Sequence, residues 1–372
     1  MSDAQLNEDK CDAPKETIHL AAYDNDWASV LRLSTQKPGV YTIEDLAHAA
    51  KCGELDDVTR ILEYGIPVDA IDATSEYEHG WPALFHACWW NRIPVVEKLI
   101  KAGANVNYLT RDGGTPLYTA IQMGRVRVVK LLISSGADVN LVSDKSSTSP
   151  LCSAVERGDK GIVELLISSG ANVNFLPKDP RTALSRTLDD DERKLDIAVC
   201  LLRANANPNV AGDKGMTPLM TFVDSLECVR LCLQNGADVD PVDELGETAL
   251  IKASHFPDTV ELLVHNGADV EKRDMDGNTP LILASMYGIR RSARILLRAG
   301  ADINARNNDG QTALMRAALW GDDYLVRDFI AAGADLDMRD NDGKTALMYS
   351  QSDRTSYVLA RAMADKAFHN NQ

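Results

Sequence analysis

Apolar and polar residues recur along this chain in one pattern, which returns about every 33 residues. In its clearest copy, Thr279 is a good helix N-cap, because its hydroxyl can accept a hydrogen bond from a free amide, and Pro280 suits the first helical position. The helix LILASMY ends at Gly288, and a second helix, SARILLRAG, carries an apolar stripe and ends at Gly300. The stretch ADINARNNDG is then typical of an extended connection that turns at its Asp-Gly pair. The pattern predicts two short helices and a hairpin-like loop in each copy.

Equivalent copies occupy most of the chain. The apolar residue that marks their register recurs at spacings of 31 to 38 residues, at Leu46, Leu84, Leu117, Leu151, Leu184, Leu219, Leu250, Leu281, Leu314 and Leu347. A degenerate Ile18 opens the series, which gives about eleven repeats. Two short helices and a hairpin cannot bury a core alone. We therefore expect Leu281, Ala284, Leu296 and Leu297 to pack against the equivalent residues of the next repeat.

The repeated phrases T-P-L-x-x-A-x-x-x-G and L-L-x-x-G-A-D-V-N resemble the ankyrin repeat. The resemblance covers residues 16–364 and rests on a full template that recurs at a fixed period. It implies an all-α solenoid of helix-turn-helix units joined by β-hairpin-like loops. It also implies that partners bind in a concave groove lined by the hairpins and the first helix of each repeat.

Residues 1–15 and 365–372 fall outside the pattern, and we expect a disordered N-terminal segment and a C-terminal tail there. The connection at 70–81 is longer than the repeat requires, and the stretch at 185–196 lacks the glycine between its helices and inserts an acidic run. Two repeats of 31 residues shorten the turn between their helices, and Pro257 lies in one of these turns. The last repeat gains polar residues, as expected of an end cap.

The two residues that end the first helix of each repeat are the best candidates for contact with a partner, because the resemblance places them in the groove. Many of them are aromatic or methionine, although a solvated groove would favour polar residues there. Aromatic rings are natural interface anchors, and clustered exposed apolar side chains usually mark a binding face. An alternative is that some rings, including one tryptophan of the adjacent pair, fold back onto a neighbouring helix. The candidates are Trp89, Trp90, Met123, Phe256, Met286, Tyr287, Leu319 and Trp320.

The net charge of −16 and the pI of about 4.9 favour a partner that is basic in part. Such a field repels phosphate backbones and anionic lipid, so nucleic acid and membranes are poor partners. The acidic run inserted at 185–196 falls between the candidates Met123 and Phe256 in the chain and therefore joins the candidate site. Its members are Asp189, Asp190 and Asp191.

The seven cysteines are odd in number and scattered, which does not fit a disulfide scaffold. The start of the chain has no basic or apolar region typical of a signal peptide, and no apolar run is long enough to span a bilayer. We therefore expect a reducing, cytoplasmic location, although secretion by a route without a signal remains open.

No motif indicates catalysis or a cofactor. DMDGNT and DNDGKT resemble calcium loops, but their glycine falls at the wrong position and the closing glutamate is missing. Cys228 and Cys232 would make half a zinc site with His255 or His265, yet the repeat register places both thiols in the core. The resemblance implies that some asparagines could be hydroxylated, the alternative being that they bridge hairpin backbones. These are Asn107, Asn140, Asn174 and Asn304.

The sequence therefore predicts a non-enzymatic protein that is monomeric when free and binds a partner protein or peptide in its groove, with no catalytic residues, metal or cofactor. An alternative is an architectural subunit that associates with copies of itself. A metal-binding protein or an enzyme is less favoured. An adaptor, an inhibitor, an immunity protein and an effector are equally compatible with the residues.

Overall fold

The computed structural model describes residues 41–71, 80–142, 148–176, 181–188 and 193–370. These residues contain 19 α-helices, three short 3-10 helices and no strand, which confirms the all-α prediction. The chain divides into two compact units, Met1–Ala137 and Asp138–Gln372. Each unit is built from repeated pairs of helices, and we call the members of a pair the first and the second helix.

Unit 1 contains three pairs of helices in its described part. The first helices are α1, α3 and α5, and the second helices are α2, α4 and α6; each packs on its own partner and on its counterpart in the neighbouring pair. Their bounds are α1 Ile43–Cys52, α2 Leu55–Tyr64, α3 Ala83–Trp89, α4 Ile93–Lys101, α5 Pro116–Gln122 and α6 Val126–Ser134.

Unit 2 continues the same arrangement with shorter first helices in its middle. Its helices are α7 Pro150–Arg157, α8 Lys160–Ser168, α9 Arg193–Arg203, α10 Pro218–Thr221, α11 Leu226–Gln234, α12 Ala249–Lys252, α13 Pro257–His265, α14 Pro280–Met286, α15 Arg290–Arg298, α16 Ala313–Trp320, α17 Asp323–Ala331, α18 Ala346–Tyr349 and α19 Asp353–Asn370. The first helices α14, α16 and α18 pack in a row, and the second helices α13, α15, α17 and α19 form a second row.

The helix signals in the sequence act as expected. The Thr279 hydroxyl accepts a hydrogen bond from the Ile282 amide at 3.4 Å, and Pro280 occupies the first turn of α14. The turn between paired helices uses a left-handed residue, which is Gly288 in this repeat. In one repeat of unit 1, between α3 and α4, Asn91 replaces this glycine with φ of 56°. Asparagine tolerates the left-handed conformation better than most other side chains.

The core consists of residues that face both the paired helix and the next repeat. Leu281, Ala284 and Leu296 are fully buried, which confirms their predicted role. Leu297 was expected to join them but is only partly buried. Consecutive helical residues point about 100° apart, so the neighbour of a fully buried leucine lies at the margin of the core.

Asparagine side chains link successive hairpins. In unit 2, Asn140 donates from Nδ2 to the Gly170 carbonyl at 3.0 Å and accepts at Oδ1 from the Asn172 amide at 2.7 Å. Asn174 and Asn209 repeat these bonds, Asn304 accepts from the amide of Asp335, and Asn107 donates to the Gly136 carbonyl within unit 1. Each of these amides joins two repeats and satisfies backbone groups that a loop leaves open.

Arginine side chains fix the hairpins of the C-terminal repeats. Arg273 donates to the Arg306 carbonyl at 2.5 Å, and Arg306 donates in turn to the Arg339 carbonyl at 3.1 Å. Adjacent hairpin tips also pair through their backbones, as in the bond of 3.0 Å from the Met275 amide to the Leu245 carbonyl. The tips therefore form a fixed row.

The middle of unit 2 is irregular. The first helix around Leu184 is a single 3-10 turn, Ser185–Thr187, and α10 and α12 have four residues each. Pro257 is the first residue of α13, where proline costs no hydrogen bond. At the end of the array, α19 extends to Asn370, and Lys366 forms ion pairs with Asp335 and Asp337 at 3.1 and 2.8 Å.

We predict that the repeats at 185–260 open before those at 270–345. Stability in a repeat array is a sum of unit and neighbour terms, and the shortened first helices contribute fewer hydrogen bonds and less buried surface. Native-state hydrogen exchange should show earlier exchange of amides in α10 and α12 than in α14 and α16. Uniform protection along unit 2 would contradict the prediction.

Candidate functional site

The adjacent tryptophans lie at the end of α3 in unit 1, and both are partly buried. The Trp89 ring packs against Trp81, with ring centroids 5.5 Å apart. The Trp90 ring lies under the Lys51 ammonium, which is 5.7 Å from the ring centroid. Trp89 thus folds back onto its own repeat, whereas Trp90 faces the end of the preceding first helix.

Trp81 gathers several rings around it. Its centroid lies 5.7 Å from Phe85 and 5.8 Å from His86, and both of these side chains are buried. The Trp81 indole nitrogen is buried and has no hydrogen-bond partner within the described part of the chain. The cluster is a small aromatic core beneath Trp89, so Trp89 has a structural role whatever else it contacts.

Two arginines hold the ends of first helices in unit 1. Arg92 donates from Nε to the Lys51 carbonyl at 3.0 Å, and Arg125 donates to the Trp89 carbonyl at 3.3 Å. A cation is favourable at a helix C-terminus, where carbonyl groups lack partners. Met123 caps α5 at the position that corresponds to Trp90, and it is partly buried.

Unit 2 carries a row of rings at the ends of three consecutive first helices. His255 contacts Phe256 with ring centroids 4.1 Å apart and meets Tyr287 edge-on at 5.4 Å. Trp320 follows on the next repeat and lies over Gly288. Tyr287 is 51% exposed and Trp320 is 63% exposed, while Phe256 is partly buried. We call Phe256, His255, Tyr287 and Trp320 the aromatic row.

Two of the predicted residue pairs, both in unit 2, consist of a partly buried and an exposed member. Met286 and Leu319, which precede Tyr287 and Trp320, are both partly buried. The exposed position of Trp320 depends on Gly288, since a Cβ there would lie 2.5 Å from the indole nitrogen. Glycine at this position therefore serves both the left-handed turn and the close approach of the ring.

The hairpin tips of unit 2 present side chains that the sequence analysis missed. Leu245 and Met275 are 57% and 68% exposed on neighbouring tips. One exposed carboxylate also stands on each of four tips, contributed by Glu244, Asp276, Asp309 and Asp342. We call these four residues the tip acids. They sit one or two positions before the hairpin glycine in each repeat, so the repeat register could have identified them.

The first helices separate the tips from the aromatic row. A helix of seven or eight residues is about 10 to 12 Å long. The surface between the tips and the aromatic row is therefore wide enough for a short peptide segment. Arg316 lies on α16 one turn before Trp320, and its buried Nε has no hydrogen-bond partner within the described residues.

Asp189, Asp190 and Asp191 lie outside the described residues. Cys228 and Cys232 occupy the core, and burial raises the pKa of their thiols to about 11 and about 12. The described ranges contain no group of three His, Cys, Asp or Glu side chains placed to hold a metal ion. None of their helices is long and apolar enough to cross a bilayer.

Family models match most of the repeated region. A model described as "Ankyrin repeats (3 copies)" matches residues 103–177, 190–274 and 254–337, and the model "Ankyrin repeat" matches residues 79–111. A search of curated proteins finds no matching relative. The family matches span more than half of the chain and confirm the resemblance seen in its repeated phrases. The chain therefore belongs to the ankyrin repeat family, and its repeats form a protein–protein interaction module.

Proposed function

We propose that this protein is a non-enzymatic binding protein that holds a partly basic segment of another protein along the first-helix side of unit 2. The aromatic row is the observation that carries this proposal. Two large rings there remain more than half exposed although every neighbouring helix is packed. Exposed aromatic side chains on a rigid support lose little conformational freedom on binding and are typical interface anchors.

The row is continuous across three repeats, which favours an extended partner segment. His255 links Phe256 to Tyr287, and Trp320 covers the turn glycine that follows Tyr287. A partner that lies along the row would contact one ring per repeat. The exposed Leu245 and Met275 side chains on the hairpin tips would add apolar contact on the other side of the first helices.

Charge favours a basic partner at the same surface. The tip acids place one carboxylate on each of four hairpins, and the whole chain has a net charge of −16. Complementary charge raises the association rate and discriminates against acidic partners, whereas the rings that the partner covers set the lifetime of the complex. The run Asp189 to Asp191 would add to this field.

Trp90 and Met123 form a smaller candidate contact in unit 1. Lys51 already lies over the Trp90 ring, so a partner there would meet a surface of mixed character. Trp90, rather than Trp89, is the member of the pair that a partner would contact, because Trp89 packs on Trp81.

We predict that replacing Tyr287 and Trp320 together by alanine weakens partner binding by at least about 30-fold, the effect of losing about 2 kcal/mol at a binding hot spot. The partner would be isolated by pull-down with mass spectrometry and purified, and its affinity measured by calorimetry. The matched control is Tyr64→Ala, since Tyr64 is also 51% exposed but lies on a second helix of unit 1.

The melting temperature of the double variant should change little, because both rings are largely in water. Unchanged affinity in the double variant would contradict the proposal. Light scattering on the purified protein tests the alternative role. A change in oligomeric mass caused by Y287A/W320A would identify the row as an interface between copies of this chain.

We predict that Trp89→Ala costs about 2 kcal/mol of unfolding free energy and that Trp90→Ala costs less than about 1 kcal/mol. A fully buried tryptophan costs roughly 3–5 kcal/mol when truncated, and Trp89 is only partly buried against Trp81. Urea unfolding of the two single variants measures the difference. A larger loss in Trp90→Ala would show that Trp90 is the structural member of the pair.

We predict that Asp276→Ser with Asp309→Ser slows association with the partner several-fold at low salt, because long-range attraction is lost. Glu63→Gln with Glu97→Gln removes the same charge from exposed positions of second helices in unit 1 and serves as the control. Stopped-flow association at increasing salt should show the difference shrinking. Equal rates in the two variants at low salt would mean that the tip acids do not steer the partner.

A further inference from the structure

The second helix α15 carries arginine at every exposed position of its outer side. Arg291, Arg294 and Arg298 are exposed, and Arg290 adds a fourth guanidinium at the start of the helix. The corresponding positions of the preceding second helix, α13, hold Asp258, Glu261 and His265. A chain with 55 acidic and 39 basic residues thus concentrates positive charge on one short helix.

The neighbouring carboxylates neutralise only part of this charge. The Asp328 carboxylate accepts two hydrogen bonds from the Arg290 guanidinium, at 2.5 and 2.9 Å. Arg294 lies 4.0 Å from the same carboxylate and therefore forms only a weak ion pair with it. Arg291 is paired with Asp258 at 2.6 Å and with Glu261 at 3.3 Å.

Arg298 has no ion-pair partner in the part of the chain that the structure describes. Two of the four guanidinium groups are therefore left with most of their hydrogen-bonding capacity unused. A guanidinium carries five N–H donors and binds a carboxylate through two parallel bonds.

These arginines surround a depression large enough for ligand side chains. Its volume is about 360 Å³, and it is lined by Glu261, Arg290, Arg291, Arg294, Ile295 and Arg298. The Ile295 side chain supplies an apolar floor between the charged groups. A second depression of about 540 Å³ lies on the following helices, α17 and α19, and is lined by Asp323, Tyr324, Arg327, Asp353, Arg354 and Tyr357.

One contact joins the two depressions. The Arg290 guanidinium lies 5.4 Å from the centre of the Tyr324 ring. Tyr324 is 58% exposed, and Tyr357, its counterpart on the next second helix, is 63% exposed. Arginine and tyrosine, together with tryptophan, are enriched at binding hot spots. We call Arg290, Arg291, Arg294, Arg298, Tyr324 and Tyr357 the arginine–tyrosine face.

We infer that the arginine–tyrosine face binds an acidic segment of a protein, and that this segment is distinct from the partner of the aromatic row. Carboxylates of the segment would pair with Arg294 and Arg298, and its apolar side chains would pack on Ile295 and Tyr324. The inference goes beyond the proposed function, because it uses second helices and the opposite charge. A protein with both surfaces would bridge a basic and an acidic partner.

A short acidic peptide fits this face better than a nucleic acid or a lipid surface does. Glu261, Asp323 and Asp353 stand among the arginines and interrupt the positive potential. A phosphate polymer or a vesicle would extend beyond the face and meet the field of a chain with net charge −16. Separate carboxylates on a peptide can instead match separate arginines.

The test measures fluorescence anisotropy of a labelled dodecapeptide in which glutamate alternates with serine and leucine, at low salt. We expect binding by the full chain, and about tenfold weaker binding by Arg294→Gln with Arg298→Gln, since this variant loses two charge pairs with the peptide. The matched control is Arg127→Gln with Lys130→Gln, which removes the same charge from exposed positions of the second helix α6. This control should keep the affinity within about twofold.

Four outcomes would overturn the inference: no binding of the glutamate peptide, equal binding of its glutamine counterpart, full affinity in the Arg294/Arg298 variant, or tighter binding of an RNA oligonucleotide or phosphatidylserine vesicles. Tyr324→Ala with Tyr357→Ala should also weaken peptide binding, and it provides a second test because it leaves every arginine in place. The Tyr287/Trp320 variant should bind the peptide like the unaltered chain. The proposal for the aromatic row and the inference for this face can therefore be refuted separately.

Discussion

Burial between neighbouring repeats is the interaction on which the structure depends. A first helix of seven residues and a second helix of nine have too little apolar surface to close a core, and isolated helices of this length are marginal in water. Leu281, Ala284 and Leu296 are fully buried because the adjacent repeats cover them. This requirement explains why caps, turns and hairpin contacts recur with the same period, since each surface has to match the next.

The same requirement leaves certain positions free of packing. The last residue of a first helix, the hairpin tip and the outer side of a second helix contribute little to the contact between repeats. In unit 2 these positions carry Trp320 at a helix end, Met275 at a tip and Arg294 on an outer side. The regular core thus holds variable side chains at fixed positions, which is how one scaffold presents chemically different surfaces.

The net charge conceals a local separation of charge in unit 2. Carboxylates stand on the hairpin tips, whereas α15 presents arginines that its neighbours do not fully neutralise. Each group is close enough to act as a patch, because its members lie on adjacent repeats or on one helix face. At physiological salt the screening length is about 8 Å, so a partner at contact distance responds to the patch more than to the total charge.

The sequence by itself determined the fold class, the repeat register and, in the regular repeats, the approximate ends of the helices, because these follow from local chemistry that the regular repeats share. Thr279 and Pro280 start a helix wherever they stand in this phrase, and Asn91 could be recognised as a substitute for the turn glycine. The sequence also placed Tyr287 and Trp320 at the ends of first helices.

Only the tertiary structure decided which side chains remain exposed. Trp89 and Trp90 are adjacent residues of the same type, yet Trp89 packs on Trp81 while Trp90 contacts Lys51, a residue 39 positions earlier. Arg290 finds Asp328 on the next second helix, 38 positions away, and this leaves Arg294 with a weak partner. The direction of a side chain depends on neighbours contributed by other repeats, and a repeat read alone does not contain that information.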